Sequence, residues 1–143
     1  MTKIILTFVF FLMSLYSFSQ ETIKETSTKK ITVTLTNASS DTGKIHFSIY
    51  KKAGFSKREP ILREEAKIVD GKSTIEFSIE EEGTYAILCY HDSNSNGRMD
   101  FAVNGMPLED YGASNNVMGF GPPSFDDSKF ELTKDDLEFS IKF

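Results

Sequence analysis

Residues 84–100 read Thr-Tyr-Ala-Ile-Leu-Cys-Tyr-His-Asp-Ser-Asn-Ser-Asn-Gly-Arg-Met-Asp, an apolar segment that runs directly into a polar loop. The apolar part, 84–90, holds aromatic and β-branched residues without helical periodicity, which predicts a β-strand. The polar part has oxygen-bearing side chains at alternate positions from Asp92 onward, and Gly97 favours a sharp bend. Because residues 99–103 can pair back as a further strand, the stretch predicts a strand, a tight loop and a strand.

The spacing within the polar loop is typical of a calcium-binding loop. Calcium takes about six to eight oxygen ligands, and alternate residues of a tightly turning loop direct their side chains to one centre. The twelfth position is Val103, whereas a helix-loop-helix site would have a bidentate glutamate there. The predicted calcium ligands are Asp92, Asn94, Asn96, Asp100 and the backbone carbonyl of Arg98.

The loop has only two carboxylates, Asp92 and Asp100, so we expect modest calcium affinity. Calcium loops of low ligand charge have dissociation constants of about 10⁻⁴ to 10⁻³ M, the range of extracellular modules. Side chains that could complete the coordination shell are Glu109, Asp110, Asp126 and Asp127. The alternative is a metal-free loop in which the Asp and Asn side chains bond to their own backbone as Asx turns.

The N-terminus has the pattern of a secretory signal peptide. Lys3 precedes an apolar run, 4–15, which is shorter than the roughly 20 residues that a membrane-spanning helix needs. The small residues Ser17 and Ser19 predict cleavage before Gln20, which makes 1–19 the signal peptide. The alternative is a retained membrane anchor.

The remaining chain divides into a polar leader, 20–29, and one predicted domain, 30–143. We therefore expect a secreted or periplasmic protein without a membrane span after cleavage. The formal charge of −5 argues against a nucleic-acid partner. Cys89 is the only cysteine, so no internal disulfide can form, and its alternation with apolar neighbours predicts an inert buried thiol.

Alternation between apolar and polar side chains predicts short strands over most of the domain. The predicted strands are 31–36, 44–50, 66–69, 74–80, 84–90, 99–103, 129–132 and 137–143. Turn clusters between them predict three hairpins, formed by 31–50, 66–80 and 129–143. About seven to eight strands without a convincing helix predict an all-β fold, an antiparallel two-layer β-sandwich. His46 falls on the polar face of its strand, where we expect a solvated side chain.

A long irregular segment, 104–127, follows the loop. Segments of this length are uncommon in compact domains and tend to be functional, and this one is too apolar for a solvated tail. We expect it to pack over one end or edge of the sheet. Aromatic faces beside amide donors suit the recognition of sugars or peptides. The predicted binding residues are Glu109, Tyr111, Asn115, Asn116, Phe120 and Phe125. The alternative is that the aromatic side chains cover an open sheet edge.

Three blocks of sequence, 91–100, 105–116 and 119–127, resemble the bacterial secreted family known as domain of unknown function 2141. The blocks include Gly-Met-Pro-Leu-Glu-Asp-Tyr-Gly at 105–112 and Gly-Phe-Gly-Pro-Pro-Ser-Phe at 119–125. The resemblance implies an immunoglobulin-like or transthyretin-like sandwich of exported proteins without an established activity. The first block is also similar to calcium loops of propeller blades and adhesin repeats.

An enzyme would have to use the titratable groups near the loop, which are His91, Glu109, Asp110, Tyr111, Asp126 and Asp127. Paired carboxylates can hydrolyse glycosides, but nothing in the sequence fixes such a pair. The sequence has no serine-elbow motif, metallohydrolase histidine spacing or glycine-rich phosphate loop. We therefore predict a non-catalytic extracellular or envelope module that binds a carbohydrate or a protein. The alternative is a carbohydrate-active enzyme or its accessory carbohydrate-binding domain.

Overall fold

Two β-sheets make up the parts of the chain that the computed structural model describes, residues 27–117 and 121–143. The predicted signal peptide, 1–19, and most of the predicted leader lie outside the described residues, and so does Phe120. Among the described residues, no helix has the length and apolar character to cross a membrane.

Eight strands and three short helical segments occupy the described residues. The strands are β1 (Lys29–Leu35), β2 (Lys44–Tyr50), β3 (Leu62–Ala66), β4 (Ser73–Ile79), β5 (Gly83–Asp92), β6 (Tyr111–Ala113), β7 (Lys129–Leu132) and β8 (Leu137–Ile141). Single helical turns lie at Lys52–Phe55 and Phe125–Ser128, with a 3₁₀ turn at Ser114–Asn116. The predicted all-β sandwich is confirmed.

The strands divide between a first sheet, with the order β4-β1-β8, and a second sheet built around β5. In the second sheet, β3 pairs with β2 and β2 pairs with one edge of β5. The other edge of β5 is shared, because β7 pairs with residues 83–86 and β6 with residues 88–90. All pairs are antiparallel except β1 and β8, which run parallel.

The structure corrects several predictions of strand pairing. None of the three predicted hairpins forms, because β1, β4 and β8 lie in the first sheet and β2, β3 and β7 in the second. Turn residues mark where a strand ends, but a connection such as 36–43 is long enough to cross the roughly 10 Å between two sheets. The β1–β8 pair also departs from a purely antiparallel arrangement.

Two predicted strands lie elsewhere or do not form. The strand predicted at 66–69 is observed four residues earlier, at β3, and Val69 makes only an isolated bridge to Lys72. The predicted strand at 99–103 is absent, because Phe101 makes only an isolated bridge to Pro107. Residues 67–69 and 99–103 have no adjacent strand that could complete their backbone hydrogen bonds, so neither segment forms a strand.

The main core lies between the two sheets and consists of the alternate side chains that the sequence pattern predicts. Fully buried side chains come from β1, β2, β5 and β8, namely Ile31, Val33, Leu35, Ile45, Phe47, Ile49, Tyr85, Ile87 and Ile141. Burial of each large apolar side chain contributes roughly 1.5–3 kcal/mol.

A second, smaller core covers the opposite face of the second sheet. Tyr50 and Leu88 project from that face and are buried with Phe55, Ala113 and Phe125. The Phe55 ring meets the Phe125 ring edge to face, with 5.5 Å between the ring centres. Strand β5 is therefore buried on both faces, and the long segment that follows it covers the outer one.

Candidate functional site

Asp92, the last residue of β5, organises the polar loop that follows it. Its side chain is 1% exposed. Oδ1 accepts a hydrogen bond from the Asn96 backbone N–H at 3.0 Å, and Oδ2 accepts one from the Gly97 N–H at 2.8 Å. Oδ2 also lies 3.1 Å from Nε2 of His46. The loop is therefore wrapped around a buried carboxylate.

The environment of Asp92 favours its charged form. Burial acts to raise the pKa of this carboxyl, but the hydrogen bonds from Gly97, Asn96 and His46 together lower the pKa below its ordinary value. Asp92 is consequently an anion at neutral pH.

Asn94, Asn96 and Asp100 meet at the open side of the loop. The two amide nitrogens, Nδ2 of Asn94 and Nδ2 of Asn96, donate to the same Asp100 oxygen at 2.7 and 2.8 Å. The amide oxygens accept from the backbone two residues on, at 3.0 Å in each case, which makes two Asx turns. Asn94 and Asn96 therefore meet Asp100 through their amide nitrogens, while their amide oxygens face the backbone in the Asx turns named as the alternative.

Glu109 joins the loop to the long segment. Its Oε1 accepts from the Ser93 N–H and its Oε2 from the Asp100 N–H, both at 3.1 Å. The backbone N–H of His91 also donates to the Asp110 carbonyl at 2.9 Å. These bonds hold both ends of the loop against residues 109–110.

The other acidic residues near the loop in sequence bond elsewhere. The Asp110 carboxylate accepts from the Ser39 hydroxyl, Asp126 pairs with Lys129, and Asp127 accepts from the Ser124 hydroxyl. Among residues 27–117 and 121–143, no group of three or more His, Cys, Asp and Glu side chains is placed to hold a metal ion. The loop itself offers two carboxylates, two amides and backbone carbonyls.

The predicted binding residues occupy different environments. Tyr111 is half-buried, and its hydroxyl donates to the Gly121 carbonyl at 3.5 Å. Asn115 donates to the carbonyls of Asp127 and Lys129, while Asn116 donates to the Ser140 carbonyl and accepts from the Lys142 N–H. Phe125 is buried in the second core. Their predicted binding role stays a prediction, as does that of Phe120.

His46 is a site residue that sequence reasoning missed. The prediction of a solvated side chain is wrong, because His46 is 7% exposed and stacks on Tyr90 with 4.9 Å between ring centres. Strand alternation placed it on the outer face of β2, but there it lies against Tyr90 and Asp92 of β5. The unbroken apolar run of β5 was the one signal in the sequence that this sheet is buried on both sides.

The fold and the site define a class of protein, an all-β sandwich domain with one elaborated loop region. Its features are two β-sheets, a buried carboxylate at the end of a central strand, and an irregular segment that covers the second sheet. The chain belongs to the family described as uncharacterised protein conserved in bacteria, domain of unknown function 2141, whose model matches residues 33–140. Neither a curated protein nor a solved structure matches the chain.

Proposed function

We propose that this protein is an exported, non-catalytic binding module in which a calcium-type loop holds the long segment, 104–127, against the second sheet. The observation that supports this most strongly is the convergence of Asn94, Asn96 and Asp100 beside the buried Asp92 carboxylate. Glu109 links the loop to the long segment, because its two carboxylate oxygens accept hydrogen bonds from the two ends of the loop.

The proposal of export rests on residues 1–19. A basic residue, a short apolar core and small residues at the cleavage positions together predict secretion. The mature N-terminus is then Gln20, and mass spectrometry of the protein recovered outside the cytoplasm would measure it directly. A recovered chain that retains Met1 contradicts cleavage.

The proposal that the module is non-catalytic is supported by the hydrogen bonds that the titratable groups near the loop make. His91 is buried, and its Nε2 lies 2.7 Å from the Thr42 carbonyl. Glu109 accepts from two backbone N–H groups, and Asp126 pairs with Lys129. These groups are committed to bonds that hold the fold, which leaves them poorly placed to move protons on a substrate.

Calcium binding is tested by thermal unfolding in about 10 mM calcium and in chelator. With a dissociation constant of about 10⁻⁴ to 10⁻³ M, calcium that binds only the native state adds about 1.5–2.7 kcal/mol. For a domain of this size we expect the unfolding midpoint to rise by roughly 5 °C or more.

Two matched variants localise the effect. Asp100→Asn removes one of the two loop carboxylates at a half-exposed position, so we expect the calcium response to vanish. Asp110→Asn removes the same charge from the neighbouring segment, where the carboxylate accepts from Ser39, and should keep the response. An equal midpoint with calcium and with chelator in the unsubstituted protein would show that the loop acts without metal.

A further inference from the structure

A cleft opens between the outer face of the second sheet and the loop that follows β5. It has a volume of about 260 Å³. Leu88 and Tyr90 of β5 form its floor, and Met99 and Phe101 form the opposite wall. A second cavity of about 370 Å³ adjoins it and shares Leu88, Met99 and Phe101. Small-molecule sites are typically clefts of about 300–1,000 Å³, mostly apolar with a few polar groups.

Three arginines from separate segments line the cleft. Arg63 lies on β3, opposite Ser48 in register, Arg58 lies in the turn after the first short helix, and Arg98 lies in the polar loop. Within the described residues, no ion pair involves Arg58 or Arg63, and Arg98 has Asp100 at 3.7 Å. The cleft therefore concentrates positive charge in a chain whose net charge is −5.

Tyr90 is held in place by His46, its cross-strand neighbour on β2. Tyr90 stacks on His46 with an interplanar angle of 6°, and His46 contacts the buried Asp92. The Tyr90 phenol and the three guanidinium groups can all donate hydrogen bonds to an oxyanion.

We propose that this arginine cleft, lined by Arg58, Arg63, Arg98, Leu88, Tyr90 and Phe101, binds a carboxylate carried on a ring. The proposal deepens the binding role argued above and rests on it. Guanidinium groups recognise carboxylates through paired, charge-assisted hydrogen bonds. The Tyr90 and Phe101 side chains offer apolar faces to the ring, and Phe101 is 53% exposed although it is a large apolar residue. An acidic sugar and an aromatic acid share this chemistry.

The test is a titration of the purified protein followed by two-dimensional amide NMR, with glucuronate, benzoate and glucose as probes. We expect glucuronate to shift the amide signals of Leu88, Tyr90 and Gly97 in a saturable way. Saturable shifts with benzoate alone support the same site and identify an aromatic acid as the ligand source. Absence of saturable shifts with both acids overturns the proposal, and so do equal shifts with neutral glucose.

A matched pair of variants separates specific recognition from general charge. Arg63→Gln should weaken binding by about tenfold or more, because a charge-assisted contact is lost. Lys57→Gln removes the same charge from a residue that does not line the cleft, and it should change affinity by less than about twofold. Equal weakening by both variants overturns the proposal. If Arg63→Gln does not fold, Arg58→Gln makes the same test.

The calcium response is measured on the same samples, with calcium and with chelator. If the protein responds to calcium but binds neither acid, the cleft proposal is overturned and the calcium proposal is not. Binding of the ring acid by a protein that does not respond to calcium supports the cleft proposal and contradicts the calcium proposal.

Discussion

At the scale of single residues, the junction of β2 and β5 depends on a glycine. Gly43 directly precedes β2, has a φ of +78°, and lies against the Asp92 carbonyl and the backbone of Ser93, so a β-carbon there has no room. Gly97 has a nearly identical φ of +79°, but a β-carbon at that position would meet nothing within 4 Å. The two glycines share the same backbone conformation and differ in their surroundings.

This difference predicts unequal costs for the two alanine substitutions. Gly97→Ala should lower the free energy of unfolding by about 1–2 kcal/mol, because an alanine is strained at positive φ. Gly43→Ala should cost at least about 2 kcal/mol more, because the Asp92 backbone must also move. Urea unfolding of both variants measures the difference, and equal losses would contradict the steric account of Gly43.

At the scale of elements, side-chain amides extend the ladder at the end of β8. Asn116 donates to the Ser140 carbonyl and accepts from the Lys142 N–H, each at 2.8 Å. Asn37 makes the equivalent pair of bonds with the backbone of Phe143 at 3.0 and 2.9 Å. The Asn116 side chain therefore makes the backbone hydrogen bonds that a neighbouring strand would make. These bonds hold the segment after β6 against the first sheet.

This role predicts a loss of stability for Asn116→Gly. Glycine keeps the positive φ of 53° without strain, so the expected cost of about 1–2 kcal/mol reports the two lost hydrogen bonds. Hydrogen exchange of the Lys142 amide should accelerate in the variant. The control is Asn104→Gly, because the Asn104 side chain accepts a local hydrogen bond from the Met106 N–H. An Asn116 variant as stable as this control would favour the ligand-binding role predicted for Asn116 over the structural one.

Strand positions could be predicted from the sequence and strand partners could not. Segments 44–50 and 74–80 alternate so strongly that their observed bounds differ from the predictions by at most a residue. The hairpins failed because alternation reports which side chains are buried, and it says nothing about which neighbour supplies the hydrogen bonds. The same limit applies to the cleft, whose three arginines come from segments that no local pattern connects.

At the scale of the whole molecule, Cys89 lies where the fold is most enclosed. It is 2% exposed and belongs to the main core on β5, which pairs with three other strands. Burial raises the pKa of the Cys89 thiol to about 12, although a hydrogen bond from the Gly112 backbone lowers it in part. Unfolding exposes this thiol and restores its ordinary pKa.

Alkaline pH should therefore destabilise the protein through Cys89. The folded pKa is raised, so the stabilisation is complete below pH 9.0 and is lost as pH rises toward about 12. Each pH unit in this window costs about 1.4 kcal/mol. We expect the stability of the unsubstituted protein relative to Cys89→Ala to fall by about 2 kcal/mol between pH 8 and 10.5 in urea unfolding. A difference that does not change with pH would show that the thiol is not desolvated.

The sequence by itself determined the all-β class and most strand positions, because alternation and turn residues act through neighbours in the chain. The tertiary structure alone decided that β1 lies beside β8, that His46 contacts Asp92, and that Arg58 and Arg63 face one cleft. These contacts join residues far apart in sequence, and the competition among all strands for buried faces and hydrogen-bond partners decides which of them form.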